Sequence, residues 1–281
     1  MKLLITDLDN TLYDWVTFFS TAFKAMSSEL TRLLDIDEAT LFAEFRAIHQ
    51  RYGDSEYPFA LLELPSARRR FGDIPVGEMK RHLDSALHAF NSARSRELRL
   101  YESVKETLQI LSASGVVIVG HTEALAVNAE FRLRRLGIEK HFKHLYALEG
   151  NVTPHPDSSD RQPTPMREGF VRLVPRAERK PNPRLLADIC NREEISLAES
   201  WYVGDSLIRD IAMAKAAGVK AVWAEYGTRY DQSQWAALVK ISHWTSEDVK
   251  REAELKQNAA KITPDHTIQR YSELLALAAA G

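Results

Sequence analysis

Apolar and polar positions fall into two kinds of block along the chain. Short runs with little polar interruption, at Lys2 to Thr6, Val116 to Val119, Leu145 to Leu148, Trp201 to Gly204 and Val219 to Ala224, predict strands covered on both faces. Elsewhere the apolar residues recur three and four apart. Phe18, Phe19, Ala22, Phe23 and Met26 mark one helical stripe, and further stripes run over Ala39 to Ile48, Val76 to Phe90, Tyr101 to Ala113, Ala124 to Leu136, Pro183 to Cys190 and Ile208 to Ala217. Gly115, Gly137 and Gly218 stand just past three of these stripes, where a helix commonly ends in a left-handed residue. From residue 101 onward strand and helix alternate, which predicts an α/β, Rossmann-like doubly wound parallel sheet. Residues 15–100 carry no strand pattern and read as an all-helical insertion, so the core is discontinuous, 1–14 and 101–281.

Two stretches break the rhythm. Gly150 to Glu178 is rich in Pro, Ser, Asp and Arg without a clear period, and reads as a long loop or flap whose Arg161, Arg167 and Arg172 are candidates to close over an anion. Thr228 to Ile262 holds a charged helix pattern from Ser246 to Lys261, before an apolar end at Tyr271 to Ala279.

Composition narrows the class without naming a chemistry. The 281 residues are 44% hydrophobic and 27% charged, ordinary for a globular protein. With 37 Lys and Arg against 39 Asp and Glu, the net charge of −2 offers no global basic field for nucleic acid or an anionic membrane. Any anion site must be local. The one cysteine, Cys190, excludes an intramolecular disulfide and a cysteine-based zinc cluster, and reads as a buried structural thiol. No segment has the uninterrupted apolar length of a signal peptide or a membrane span, so a cytoplasmic protein is expected, as a monomer or homodimer.

In a parallel sheet, functional groups collect beyond the carboxyl ends of the strands. Asp7, Asp9 and Thr11 follow the first strand and Thr122 the second. Lys180 and Pro181 precede a helix, and Asp205, Ser206 and Asp210 follow a later strand. Carboxylates so close repel one another unless a cation intervenes, and their hard oxygens suit magnesium. Lys180 and Thr122 then offer positive charge and a hydrogen-bond donor to a phosphoryl group. Each piece alone has a bland reading, as a turn acid, a helix cap or a solvated lysine.

Taken in order, these segments resemble the four motifs of the haloacid dehalogenase (HAD) superfamily. The first is Asp7-Leu8-Asp9-Asn10-Thr11-Leu12 and the second Thr122. Lys180-Pro181-Asn182-Pro183 is the third, and Gly204-Asp205-Ser206-Leu207-Ile208-Arg209-Asp210 the fourth. The resemblance implies a magnesium-dependent phosphoric monoester hydrolase acting on a small phosphorylated metabolite. Asp7 would be the nucleophile and Asp9 the acid/base, with Thr122, Glu123 and Lys180 at the phosphate. Mg2+ would sit on Asp7, the Asp9 carbonyl and Asp205, with Asp210 behind them. It also implies that residues 15–100 form a cap over the site. Within the cap, the loop His49 to Pro58 nominates Arg51, Tyr52 and Tyr57 for contacts to the leaving group, and His121 is a further candidate. The basic run Arg68-Arg69-Arg70 reads as a solvated helix face. A phosphomutase shares the same machinery. A phosphonate hydrolase needs a cap lysine that the loop lacks, and a dehalogenase has no use for the Asp9 proton shuttle. A non-catalytic binding module would be marked by a lost motif residue, and none is lost.

Overall fold

A computed structural model describes residues 1–57, 59–150, 167–248 and 261–280, together with the single positions 250, 254 and 257. Among the described residues the sheet is parallel throughout, seven strands in the order β4-β3-β2-β1-β5-β6-β7. These strands are β1 (Leu3–Thr6), β2 (Val117–Leu125), β3 (His144–Leu148), β4 (Val171–Val174), β5 (Ser200–Gly204), β6 (Lys220–Ala224) and β7 (His266–Ile268). The chain winds outward from β1 in one direction as far as β4, then returns to the other side of β1 with β5. That reversal opens a crevice at the carboxyl end of β1, where ligands bind in such sheets.

The uninterrupted apolar runs follow from cover on both faces. Leu3 and Ile5 point into a layer with Val119, Tyr146, Tyr202 and Ala221, closed by α8 (Pro183–Arg192) and α9 (Ala212–Ala217). Leu4 points the other way, among Ile118, Leu145, Val203 and Val222, under α6 (Val104–Ala113), α7 (Ala126–Arg135) and α11 (Glu273–Ala280). Every residue of β1 is buried, which accounts for a strand without polar alternation. Cys190 lies buried in the first of these layers.

Between β1 and β2 the chain forms α1 (Trp15–Leu34), α2 (Glu38–Tyr52), α3 (Pro65–Phe71), α4 (Val76–His82) and α5 (Asp84–Glu97). Asp14 caps α1 by accepting from Thr17 N at 2.8 Å, and Asp37 caps α2 through Thr40 N at 2.7 Å. The α1 stripe packs on α2 through Phe23 and Phe45, whose ring centroids are 4.9 Å apart.

Three details depart from the sequence expectations. The expected flap contains β4, which pairs with β3 in register from Leu145↔Val171 to Leu148↔Val174. As an edge strand it is only partly covered, so its polar positions hid it from an apolar-run criterion. Arg161 and residues 151–166 of the flap lie outside the described residues. Strand β2 also runs on to Leu125, which puts Thr122 inside the strand instead of at a helix start. Finally, α10 (Gln232–Ile241) and β7 occupy stretches where the sequence pattern predicts no element, and most of the expected Ser246 to Lys261 helix lies outside the described residues. Among the described residues no helix is long and apolar enough to cross a membrane.

Candidate active site

The turn after β1 aims two carboxylates. Asn10 adopts φ 57°, a left-handed conformation that asparagine tolerates, and its Oδ1 accepts from Trp15 N at 3.0 Å. The chain therefore doubles back at once, with Asn10 N bonded to Tyr13 O at 2.8 Å. Asp7 sits on the floor of the crevice, 7% exposed, and accepts from Thr11 Oγ1 at 3.3 Å.

Lys180 arrives from the loop before α8. Its Nζ donates to Asp7 Oδ1 at 2.5 Å and to Asp210 Oδ1 at 2.8 Å. Asp210 is committed at both oxygens, since the Tyr202 hydroxyl also donates to Oδ1 at 3.1 Å and Ser206 N donates to Oδ2 at 3.1 Å. Gly204 makes room for this arrangement, because a Cβ there would overlap the Asp210 carboxylate. Asp205 is held through its backbone, where Trp223 Nε1 donates to its carbonyl at 2.8 Å. Gly227 presses against the Asn10 carbonyl and the Asp205 side chain, with no space for a Cβ.

The electrostatics of this cluster are unbalanced. Burial pushes the Asp7 carboxyl up to about 7, with Asp210 and Asp9 adding to the rise against the opposing pull of Lys180. Burial, then Asp7 and Asp210, hold Asp205 well above the usual carboxylate range. Burial alone would lower the Lys180 ammonium, but Asp210 and Asp7 overcome it and keep the group charged. One lysine thus faces three acids. Oxygens of Asp7, Asp205 and Asp210 all lie within 4.8 Å of one another, a set of hard donors with excess negative charge that fits a small divalent cation.

Asp9 belongs to a second network. Its Oδ1 accepts from the Tyr13 hydroxyl at 2.6 Å and from Arg132 Nη1 at 3.0 Å. Arg132, on α7 and 1% exposed, also makes a short bond to Glu56, which accepts from Trp15 Nε1 at 3.1 Å. Its guanidinium stands 5.4 Å from the centroid of Phe18. Burial raises the Asp9 pKa despite the arginine beside it. Sequence reasoning missed Arg132, Glu56 and Tyr13. A signal existed, because Arg132 falls three residues after Ala129 and beside Leu133, among the positions that the helical period buries.

Asp7, Asp9, Thr122, Glu123, Lys180, Asp205 and Asp210 all line one cavity of about 480 Å³. Thr122 is 2% exposed, and its hydroxyl accepts from Ala124 N at 3.1 Å. The Glu123 carboxylate is engaged by Arg209 Nη1 at 3.1 Å and Lys180 N at 3.2 Å. It therefore fixes the loop of Lys180, and a carboxylate there would repel a phosphate oxygen. The remaining candidates lie outside the lining. Tyr52 and Tyr57 stack with centroids 3.8 Å apart, and both hydroxyls donate to Glu63. Arg51 is exposed and also pairs with Glu63. From the same loop it is Gly53, Asp54, Ser55 and Glu56 that reach the cavity. His121 is buried behind it, with Nδ1 3.3 Å from the Tyr202 hydroxyl, and burial and Lys180 hold its pKa well below the usual histidine value. From the flap, Arg167 bonds the Phe142 carbonyl and Arg172 contacts His144, both away from the cavity.

The order of motifs and the sheet agree with known proteins. The family model for haloacid dehalogenase-like hydrolases matches residues 1–218, and a related HAD-hydrolase-like model matches residues 177–274. The chain belongs to the haloacid dehalogenase-like hydrolases. It is 27% identical over 237 residues to a protein of Methanopyrus kandleri named glyceraldehyde 3-phosphate phosphatase, covering 82% of this chain and 87% of that one. A protein of the same name from Pyrococcus abyssi is 24% identical over 228 residues, covering 81% of this chain and 82% of that one. Among solved structures, a HAD phosphatase from Thermococcus onnurineus superposes with a TM-score of 0.56 at 17% identity, covering 99% of this chain and 98% of that one.

Proposed function

We propose that the chain is a magnesium-dependent phosphomonoesterase that acts on a small phosphorylated metabolite through a phospho-aspartate on Asp7. The observation that carries this reading is the buried Asp7–Lys180–Asp210 cluster at the crevice of β1, with Thr122 and Asp205 on the same cavity. Membership of the hydrolase family and relatives named as phosphatases support it. The Asp7 and Asp205 carboxylates and the Asp9 carbonyl would hold the cation, with Asp210 behind them. When bound, it neutralises phosphate charge that would otherwise repel Asp7.

Lys180 and the Thr122 hydroxyl bind the phosphoryl oxygens. An Asp7 oxygen attacks phosphorus, the ester P–O bond breaks, and the leaving oxygen takes a proton from Asp9. Water then attacks phosphorus and gives its proton to Asp9. The bond to Asp7 breaks, releasing inorganic phosphate. Burial favours the protonated form of Asp9 needed for the first step. In this reading residues 15–100 form a cap that excludes water, and Glu56 is its contact with the Asp9 network.

Phosphate release from 4-nitrophenyl phosphate and a panel of metabolite esters, with and without Mg2+, tests the proposal. Asp7→Asn removes the nucleophile at nearly constant shape, so turnover falls by about 10³-fold or more, ~4 kcal/mol in the barrier. Undiminished turnover in that variant would overturn the mechanism.

A further inference from the structure

The cavity is larger and more aromatic than phosphate chemistry on a three-carbon ester requires. Its volume of about 480 Å³ lies in the ~300–1,000 Å³ range of pockets that enclose drug-sized ligands. The surplus wall comes from residues 228–248, which follow the core motifs. Tyr230, Trp235 and Trp244 all line the cavity as half-buried rings. Their centroids are spaced at 5.4 Å from Tyr230 to Trp235 and 5.7 Å from Trp235 to Trp244. Half-buried Trp235 and Trp244 rings on a cavity that also contains the catalytic carboxylates offer aromatic surface to a ligand, and the Arg209 guanidinium stands 5.8 Å from the Trp244 centroid on that same wall.

This wall is fixed in place. His49 Nδ1 lies 2.6 Å from the Ile241 carbonyl, and Arg46 Nη2 and Gln50 Nε2 each donate to the Trp244 carbonyl at 3.2 Å. Ser55 Oγ lies 2.9 Å from His243 Nδ1. The aromatic wall is therefore anchored to α2 and to the loop that carries Glu56, and needs no large rearrangement to receive a flat group. Trp15 and Phe19, stacked with centroids 5.4 Å apart, line the same cavity.

We infer that the substrate is a phosphomonoester whose alcohol carries a planar aromatic or heterocyclic ring, which Trp235 and Trp244 bind while Asp7 engages the phosphate. The inference rests on the reading of the site as a phosphomonoesterase, and names the substrate class for it. A nucleoside 5′-monophosphate or pyridoxal 5′-phosphate has this chemistry. Glyceraldehyde 3-phosphate, named for the relatives, does not.

The test compares kcat/KM for ring-bearing esters (pyridoxal 5′-phosphate and the nucleoside 5′-monophosphates) with that for glyceraldehyde 3-phosphate, glycerol 3-phosphate and phosphoglycolate. In parallel, calorimetry measures binding of the same compounds to Asp7→Asn protein, which reports on the wall even without turnover. At least one ring-bearing ester is expected to exceed every small ester by tenfold or more in both measurements. Trp235→Ala and Trp244→Ala should each reduce the ring-to-small ratio by about tenfold, the size of one lost stacking partner, and Trp235→Phe should restore most of it. The ratio is read on variants whose melting shows them folded. Small esters preferred or equal in both measurements, or a ratio unmoved by both alanine variants, would overturn the inference. Selective binding without turnover of any ester would uphold the ring site and remove the phosphatase reading instead.

Discussion

Two buried basic residues organise the two halves of the site, and they do so differently. Lys180 reaches into the sheet edge from the loop before α8, among Asp7, Asp210 and Tyr202, and each of these partners follows or belongs to a core strand. Arg132 reaches out of the core, with Asp9 on one side and Glu56, from the loop after α2, on the other. The first half can be complete whatever the helical block does. The second cannot, because one of its two ion pairs belongs to that block. In the proposed mechanism the nucleophile and phosphate site are thereby built into the sheet edge, while the orientation of the proton-transfer group is shared with residues 15–100.

The largest expected effect breaks the first half. Lys180→Ala leaves Asp7, Asp205 and Asp210 facing each other without their cation. Phosphate release should fall roughly 10³-fold, comparable to loss of a principal charge stabiliser. Calorimetric titration of the variant with inorganic phosphate checks that phosphate affinity falls with it.

A smaller loss is expected at Arg132, and it differs in kind. Arg132→Met keeps the bulk over Phe18 but strands two carboxylates, so the fold should lose ~3–5 kcal/mol in denaturant unfolding. The turnover number should fall roughly tenfold to a hundredfold with less change in KM, as expected when an acid/base is misplaced and substrate contacts are kept. Adding Glu56→Gln to Arg132→Met should recover part of the stability but little of the turnover, and a double-mutant cycle measures the coupling. Recovery of both would mean that the pair is structural alone.

The smallest effect concerns charge balance in the first half. Asp7 rises from 3.8 to about 7 on burial, so the folded chain holds this proton more tightly than the unfolded one. Its contribution to stability is therefore full below pH 3.8 and is lost as pH rises through about 7. Metal-free protein should melt a few degrees lower at pH 8 than the same protein at pH 5. Mg2+ should narrow the gap, and Asp7→Asn should flatten the dependence. Thermal scans at the two pH values decide this, and a gap unchanged in Asp7→Asn would assign it elsewhere.

How much of this was legible in the chain depends on the reach of the interaction concerned. The strands β1, β2, β3, β5 and β6 were readable as apolar runs because both faces of the sheet are covered. The edge strands β4 and β7 were not, since partial cover gives them mixed polarity. Motif residues at strand ends could be nominated together because a parallel sheet delivers its strand ends to one side whatever the details of packing. The residue types of the loop after α2 point to the site, but its backbone carries Gly53 to Glu56 to the cavity while Tyr52 and Tyr57 turn toward Glu63.

By itself, then, the sequence determined the alternation of elements, the parallel sheet and the group of acids and lysine that meet at its crevice, because each is written in local period or strand-end position. Tertiary structure alone decided that Arg132 joins Asp9 to Glu56, that Glu123 binds the Lys180 loop, and that Trp235 and Trp244 wall the cavity. Those pairings depend on the rotation and docking of helices far apart in the chain. A hydrophobic period specifies which face of a helix is buried, but not which neighbour that face will meet.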